Sequence, residues 1–175
     1  LDTDIGPIIS KTSLDSLNAY VKGFEDNNYS IFRSAADVDE NFVAPTIIEI
    51  DNISDLKDEQ FGPILHIVRF KSNEMDALIE NINDSGFGLT MGIHTRVEKR
   101  ADIFSDKCNV GNIYINRDMV GAVVGSQPFG GQNLSGSGYK AGGPNYLLQF
   151  LNEKVVSKNS VAFGGNTELL NIQED

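Results

Sequence analysis

Runs rich in β-branched residues alternate with amphipathic stretches along most of this chain, and that alternation limits the folds open to it more than any other feature. Leu14, Leu17, Val21 and Phe24 recur at helical spacing after Thr12 or Ser13, either of which predicts an N-cap, with Asp15 near the positive helix end and Asn27-Asn28 as the stop. Phe42 to Ile50 and Ile64 to Phe70 read as strands, joined by a polar connection that ends in Asp58-Glu59-Gln60-Phe61-Gly62-Pro63. Ser72 predicts the cap of a second helix carrying Met75, Leu78, Ile79 and Ile82, stopped by Gly86. A short strand from Leu89 to His94, a helix over Val97 to Ser105 and a strand from Val110 to Asn116 follow. Helices set between strands at this spacing predict an α/β fold with a mostly parallel layer.

At 175 residues the chain suffices for one domain or a piece of one. Its formal charge of −11 argues against non-specific binding to nucleic acid or to an anionic membrane, and favours a soluble protein acting on small molecules. The longest apolar runs, such as Ile64 to Val68, fall far short of the ~20 residues of a membrane span. With Cys108 as the single cysteine, no internal disulfide or cysteine-based metal site is available, and an intracellular, cytoplasmic setting is expected.

Eight of the seventeen glycines fall between Gly121 and Gly143, too long and too biased a stretch for a mere linker. Within it Gly136-Ser137-Gly138-Tyr139-Lys140-Ala141 satisfies the dinucleotide pattern G-x-G-x-x-G/A formally. The preceding residues Gln127 to Ser135 are polar and glycine-rich, however, and supply no buried strand to deliver the turn. Gly142 and Gly143 directly precede Pro144, which suits the first turn of a helix through Leu151. Their amides would then point outward beside a positive helix end and form an anion site, most simply for a carboxylate. A plain helix start, with glycines serving only the turn, fits the residues equally well.

Glu59 could accept two vicinal ribose hydroxyls while Phe61 flanks a ribose or nicotinamide face, although a solvated turn acid beside a core aromatic is the commoner meaning of an isolated Glu-x-Phe. Cys108 follows Asp106-Lys107 at a helix C-terminus, which disfavours a thiolate, so it reads as a packed residue. His66 and His94 lie in separate apolar strands with no carboxylate at ligand spacing, so no metal site is expected. Asp102 and Asp106 read as a solvated helix face.

Four segments, in order, resemble the aldehyde dehydrogenase superfamily: Thr3-Asp4-Ile5-Gly6-Pro7-Ile8-Ile9, Asp58-Glu59-Gln60-Phe61-Gly62-Pro63, Gly111-Asn112-Ile113-Tyr114-Ile115-Asn116-Arg117 and Gln127-Pro128-Phe129-Gly130-Gly131-Gln132-Asn133-Leu134-Ser135-Gly136. Gly121-Ala122-Val123-Val124-Gly125 and Lys140-Ala141-Gly142-Gly143-Pro144 are similar, more narrowly, to the glutamate-semialdehyde (pyrroline-5-carboxylate) dehydrogenases, free-standing or as a domain of bifunctional proline utilization A. The ending Ala162 to Leu170 also resembles that family's.

That resemblance implies NAD-dependent oxidation of L-glutamate γ-semialdehyde to glutamate in proline catabolism. It assigns Glu59 to the nicotinamide-side ribose and Phe61 to packing beside it. It assigns the amides of Gly142 and Gly143 to the substrate α-carboxylate, and Phe150 to an aromatic wall around the aldehyde chain. Residues 1–151 become the C-terminal part of the catalytic domain and 152–175 an oligomerisation strand and tail, with Lys154 to Phe163 reaching toward another subunit of a homo-oligomer. The nucleophilic cysteine is expected upstream of Leu1, in the other half of the enzyme. The opening Leu1-Asp2-Thr3-Asp4 has neither an initiator Met nor signal-peptide features, in keeping with a start inside a longer protein. The chain alone is therefore expected to be inactive and poorly soluble. An alternative is a catalytically inactive split-gene remnant or assembly module.

Overall fold

A computed structural model describes residues 5–34, 40–136, 138–159 and 162. The first helix, α1, spans Lys11–Asp26 and buries Leu14, Leu17 and Val21. Its cap is Ser10, ahead of the expected Thr12 or Ser13. Ser10 is extended, and its hydroxyl accepts the Ser13 N–H at 3.2 Å, the geometry an N-cap requires.

α1 lies on a three-stranded sheet of β1 (Ser30–Arg33), β2 (Thr46–Ile50) and β3 (Ile64–Val68), in that order, with β1 antiparallel and β3 parallel to β2. The strand expected from Phe42 starts only at Thr46 because Pro45 has no N–H to donate to a ladder. Val43 and Ala44 instead bury their side chains, Val43 against Leu14 and Leu17. Register sorts the sheet into faces. The row Ile31, Ile48 and His66 turns toward α1, where Val21 and Ile48 are almost fully buried. Truncating Ile48 to Ala would remove about 2–5 kcal/mol. The next row, Phe32, Ile47 and Leu65, turns away, and with Ile5 and Pro63 it lines an open apolar groove of about 600 Å³.

The second half consists of α2 (Met75–Asp84), β4 (Phe87–Gly88), β5 (Thr90–Ile93), α3 (Glu98–Lys107) and β6 (Asn112–Ile115). α2 begins after Glu74 rather than at Ser72, since the Glu74 carboxylate accepts the Lys71 N–H and closes the preceding turn. β5 and β6 are parallel across the α3 crossover, and Ile79, Ile93, Ala101, Phe104, Cys108 and Val110 form the core between them. Asn116 (φ +53°) closes the end of this pair, its side chain accepting the Thr95 N–H and donating to the Thr95 carbonyl. β4 pairs antiparallel with β7 (Gln132–Asn133). The α/β expectation holds, but the layer is mixed rather than mostly parallel, with two parallel and two antiparallel pairings among the described residues.

The glycine-rich stretch packs backbone on backbone. A Cβ on Gly111 would run into the Gly130 carbonyl and Gly131, one on Gly136 into the Gly131 main chain, and one on Gly88 into the Asn109 carbonyl. Polar side chains lock the contact. Asn112 donates to the Pro128 carbonyl and accepts the Gly130 N–H, both at 3.0 Å, and the Ser135 hydroxyl accepts the Gly88 N–H.

The helix expected from Pro144 is a 3₁₀ segment, Tyr146–Phe150, because the Gly143 carbonyl accepts the Tyr146 N–H three residues on. Residues 151–159 form no helix or strand. Residues 160–161 and 163–175 of the expected tail, Thr3, Asp4 and Ser137 lie outside the described residues. Among the described residues no helix is long and apolar enough to cross a membrane.

Gly111→Ala and Gly136→Ala should each destabilise the protein by roughly 1–3 kcal/mol or more in urea denaturation, since a main chain cannot step aside as a side-chain tip can. Gly23→Ala, in open space on α1, should stabilise it by about 0.5–1 kcal/mol.

Candidate functional site

Two features converge on the glycine-rich stretch. The first is a cleft of about 610 Å³ between the α1 sheet and the second half, walled by Asp58, Glu59 and Gln60 on one side, His66 of β3 on the floor, and Thr90, Leu134 and Ser135 opposite. Glu59 reaches the cleft from the turn that precedes β3. Its carboxylate pairs with no group among the described residues, leaving both oxygens open to a ligand's hydroxyls. Phe61 stands two residues on and is 90% exposed, outside the cleft lining.

The second feature is the turn at residues 140–143. Phe129 and Ala141 exchange two main-chain hydrogen bonds at 2.9 and 3.0 Å, and the Gly142 carbonyl accepts the Gly125 N–H at 2.9 Å. Gly142 sits at φ +75° with Val124 against it, so both conformation and space ask for glycine.

The two amides expected to be free therefore separate. Gly143 donates its N–H to the Lys140 carbonyl at 3.0 Å, while the Gly142 N–H meets no acceptor among the described residues. The expected push from a helix dipole is reduced to that of a five-residue 3₁₀ segment. Phe150 closes that segment, largely exposed, with its ring edge-on to Tyr146 at 5.5 Å. Thus Glu59 lies in the cleft, Gly142 and Gly143 form the turn, and neither Phe61 nor Phe150 yet touches either.

The formal dinucleotide pattern is not a strand-to-helix turn. Gly136 packs on Gly131, and Ala141 belongs to the bridge with Phe129. Cys108 is buried in the core of α2, α3 and β5, where desolvation pushes its thiol up and away from the reactive thiolate. No cluster of metal-binding side chains occurs among the described residues. Three contributors went unrecognised in the sequence: Asn112 and Ser135, which hold the stretch in place, and Lys140, whose ammonium donates to the Gly130 carbonyl at 2.6 Å. Their signal was a polar side chain inside an otherwise apolar strand or a glycine run.

Residues 1–156 match the aldehyde dehydrogenase family. The chain is 43% identical over 171 residues to the bifunctional protein PutA of Klebsiella aerogenes, covering 93% of this chain and 13% of that protein. It superposes on a variant of Bradyrhizobium japonicum proline utilization A with a TM-score of 0.81 and 41% identity, over 91% of this chain and 16% of that one. A Thermus 1-pyrroline-5-carboxylate dehydrogenase with bound NAD gives 0.74 and 32%, over 85% of this chain and 29% of that one. The chain thus spans less than a third of the length of each.

His66 shares a 3.0 Å hydrogen bond between its Nε2 and the Tyr20 hydroxyl and meets the Tyr20 and Phe24 rings, and burial lowers its pKa. The unfolded chain then binds the proton more readily than the folded one. Stability should be full above about pH 6.5 and fall as the pH drops through and below that value. Urea midpoints at pH 7.5 and 5.5 should differ less in His66→Gln than in the parent; an equal difference would remove His66 as the source.

Proposed function

This chain belongs to the aldehyde dehydrogenase family, and from that premise we propose that it forms the C-terminal part of an enzyme that oxidises L-glutamate γ-semialdehyde to glutamate with NAD. The observation carrying the reading is the Gly142 amide, unpaired among the described residues and held at φ +75° by bonds on both sides, in a family whose reaction on a simple aldehyde needs no anion anchor. The substrate α-carboxylate takes that amide, and the Gly143 amide joins it if its bond to the Lys140 carbonyl opens. Phe150 then walls the aliphatic chain.

Glu59 suits the cofactor. A carboxylate on a cleft wall, unpaired among the described residues, accepts both hydroxyls of a ribose, and Phe61, projecting free of the cleft, is available to pack beside the sugar. Bound there, NAD supplies the hydride acceptor. This chain's residues bind and orient; the thiol nucleophile comes from outside it, because Cys108 is buried, protonated and away from the cleft. The protein acts in the cytoplasm as a homo-oligomer, with residues 152–175 as the contact between subunits.

Steady-state kinetics of the full-length protein should give a kcat/KM for glutamate semialdehyde about 100-fold or more above that for propanal. Equal values for the two aldehydes would remove the substrate assignment.

A further inference from the structure

Lys140 is the sole charged residue between Asp118 and Glu153, in a chain with 25 acidic and 14 basic residues. It pairs with no carboxylate among the described residues. Instead its half-buried ammonium donates to the Gly130 carbonyl at 2.6 Å, and its stem lies against Gly130, where an added Cβ would come within 3.4 Å of the Lys140 Cα. Its own carbonyl holds the Gly143 N–H. One residue thereby ties the turn at residues 140–143 to the arm at residues 128–131, which Asn112 fixes on β6.

We propose that Lys140 is a positioning residue that sets the preference for carboxylate-bearing aldehydes. It fixes the direction of the Gly142 amide through the 130–140 tie and leaves one uncompensated positive charge in the turn that receives the anion. The tie comes from a charge-assisted bond, stronger than a neutral one, so its loss lets the turn rotate about the Phe129–Ala141 bridge. This inference rests on the semialdehyde reading above and assigns a side chain to the carboxylate end, where that reading used only backbone.

The test uses the full-length protein with Lys140→Met, which keeps the stem, Lys140→Gln, which keeps a donor without charge, and Lys140→Arg, which keeps both donor and charge. Each is assayed with glutamate semialdehyde and propanal after its melting curve shows a folded protein. The ratio of kcat/KM for semialdehyde to that for propanal should fall about tenfold in Lys140→Met, with the loss residing in the semialdehyde KM, and less in Lys140→Gln. Lys140→Arg should restore the ratio to within about threefold. A folded Met or Gln variant with the parent's ratio overturns the proposal, as does a parallel loss for both aldehydes, which marks a merely structural lysine. A parent protein that fails to discriminate overturns the semialdehyde reading itself, and this inference with it.

Discussion

The site depends on main chain meeting main chain. Gly111, just before β6, lies directly under Gly130 and Gly131, and Gly136 lies against Gly131, at separations that leave no room for a Cβ. This contact lets a long polar stretch lie flat on a small α/β layer, with part of its main chain paired to side chains. Asn112 satisfies Pro128 and Gly130 from below, and Ser135 satisfies Gly88 from above. The glycines that suggest phosphate binding serve close packing, and the proposed anion contact falls at Gly142, beyond the packed part.

Residues far apart in sequence come together through the same ladder. Leu134 and Ser135 form the cleft wall opposite Glu59, Gly131 to Gly136 carry the packed turn, and Phe129 pairs with Ala141 next to Gly142. A displacement at Gly111 or Gly136 therefore reaches both the cleft and the turn. The outer groove of Phe32, Ile47 and Leu65 has no such ladder above it among the described residues, and Phe32 and Leu65 stay exposed there.

Much of the fold was legible in the sequence where periodicity ruled. α1, β3, α2, α3, β5 and β6 follow the spacing of their apolar residues. The misreadings sit where a single atom decides. Pro45 shortens β2 for want of an N–H, Ser10 takes the cap through its extended backbone, and Gly143 steers the following residues into a 3₁₀ segment. β1 was missed because Ser30 to Arg33 holds only two apolar residues and gains its strand form from pairing with β2. Family motifs single out Glu59 and Gly142 as candidates; the same motifs contain Lys140, Asn112 and Ser135 without disclosing their contacts, since each contact is made to a carbonyl or amide ten or more residues away, which no local pattern encodes.

The most direct test is a crystal structure of the full-length protein with NAD and L-glutamate, the product of the proposed reaction. The account predicts an α-carboxylate oxygen about 2.9 Å from the Gly142 nitrogen and ribose hydroxyls on the Glu59 carboxylate. A glutamate bound away from the turn at residues 140–143, or a ribose with no contact to Glu59, would contradict it.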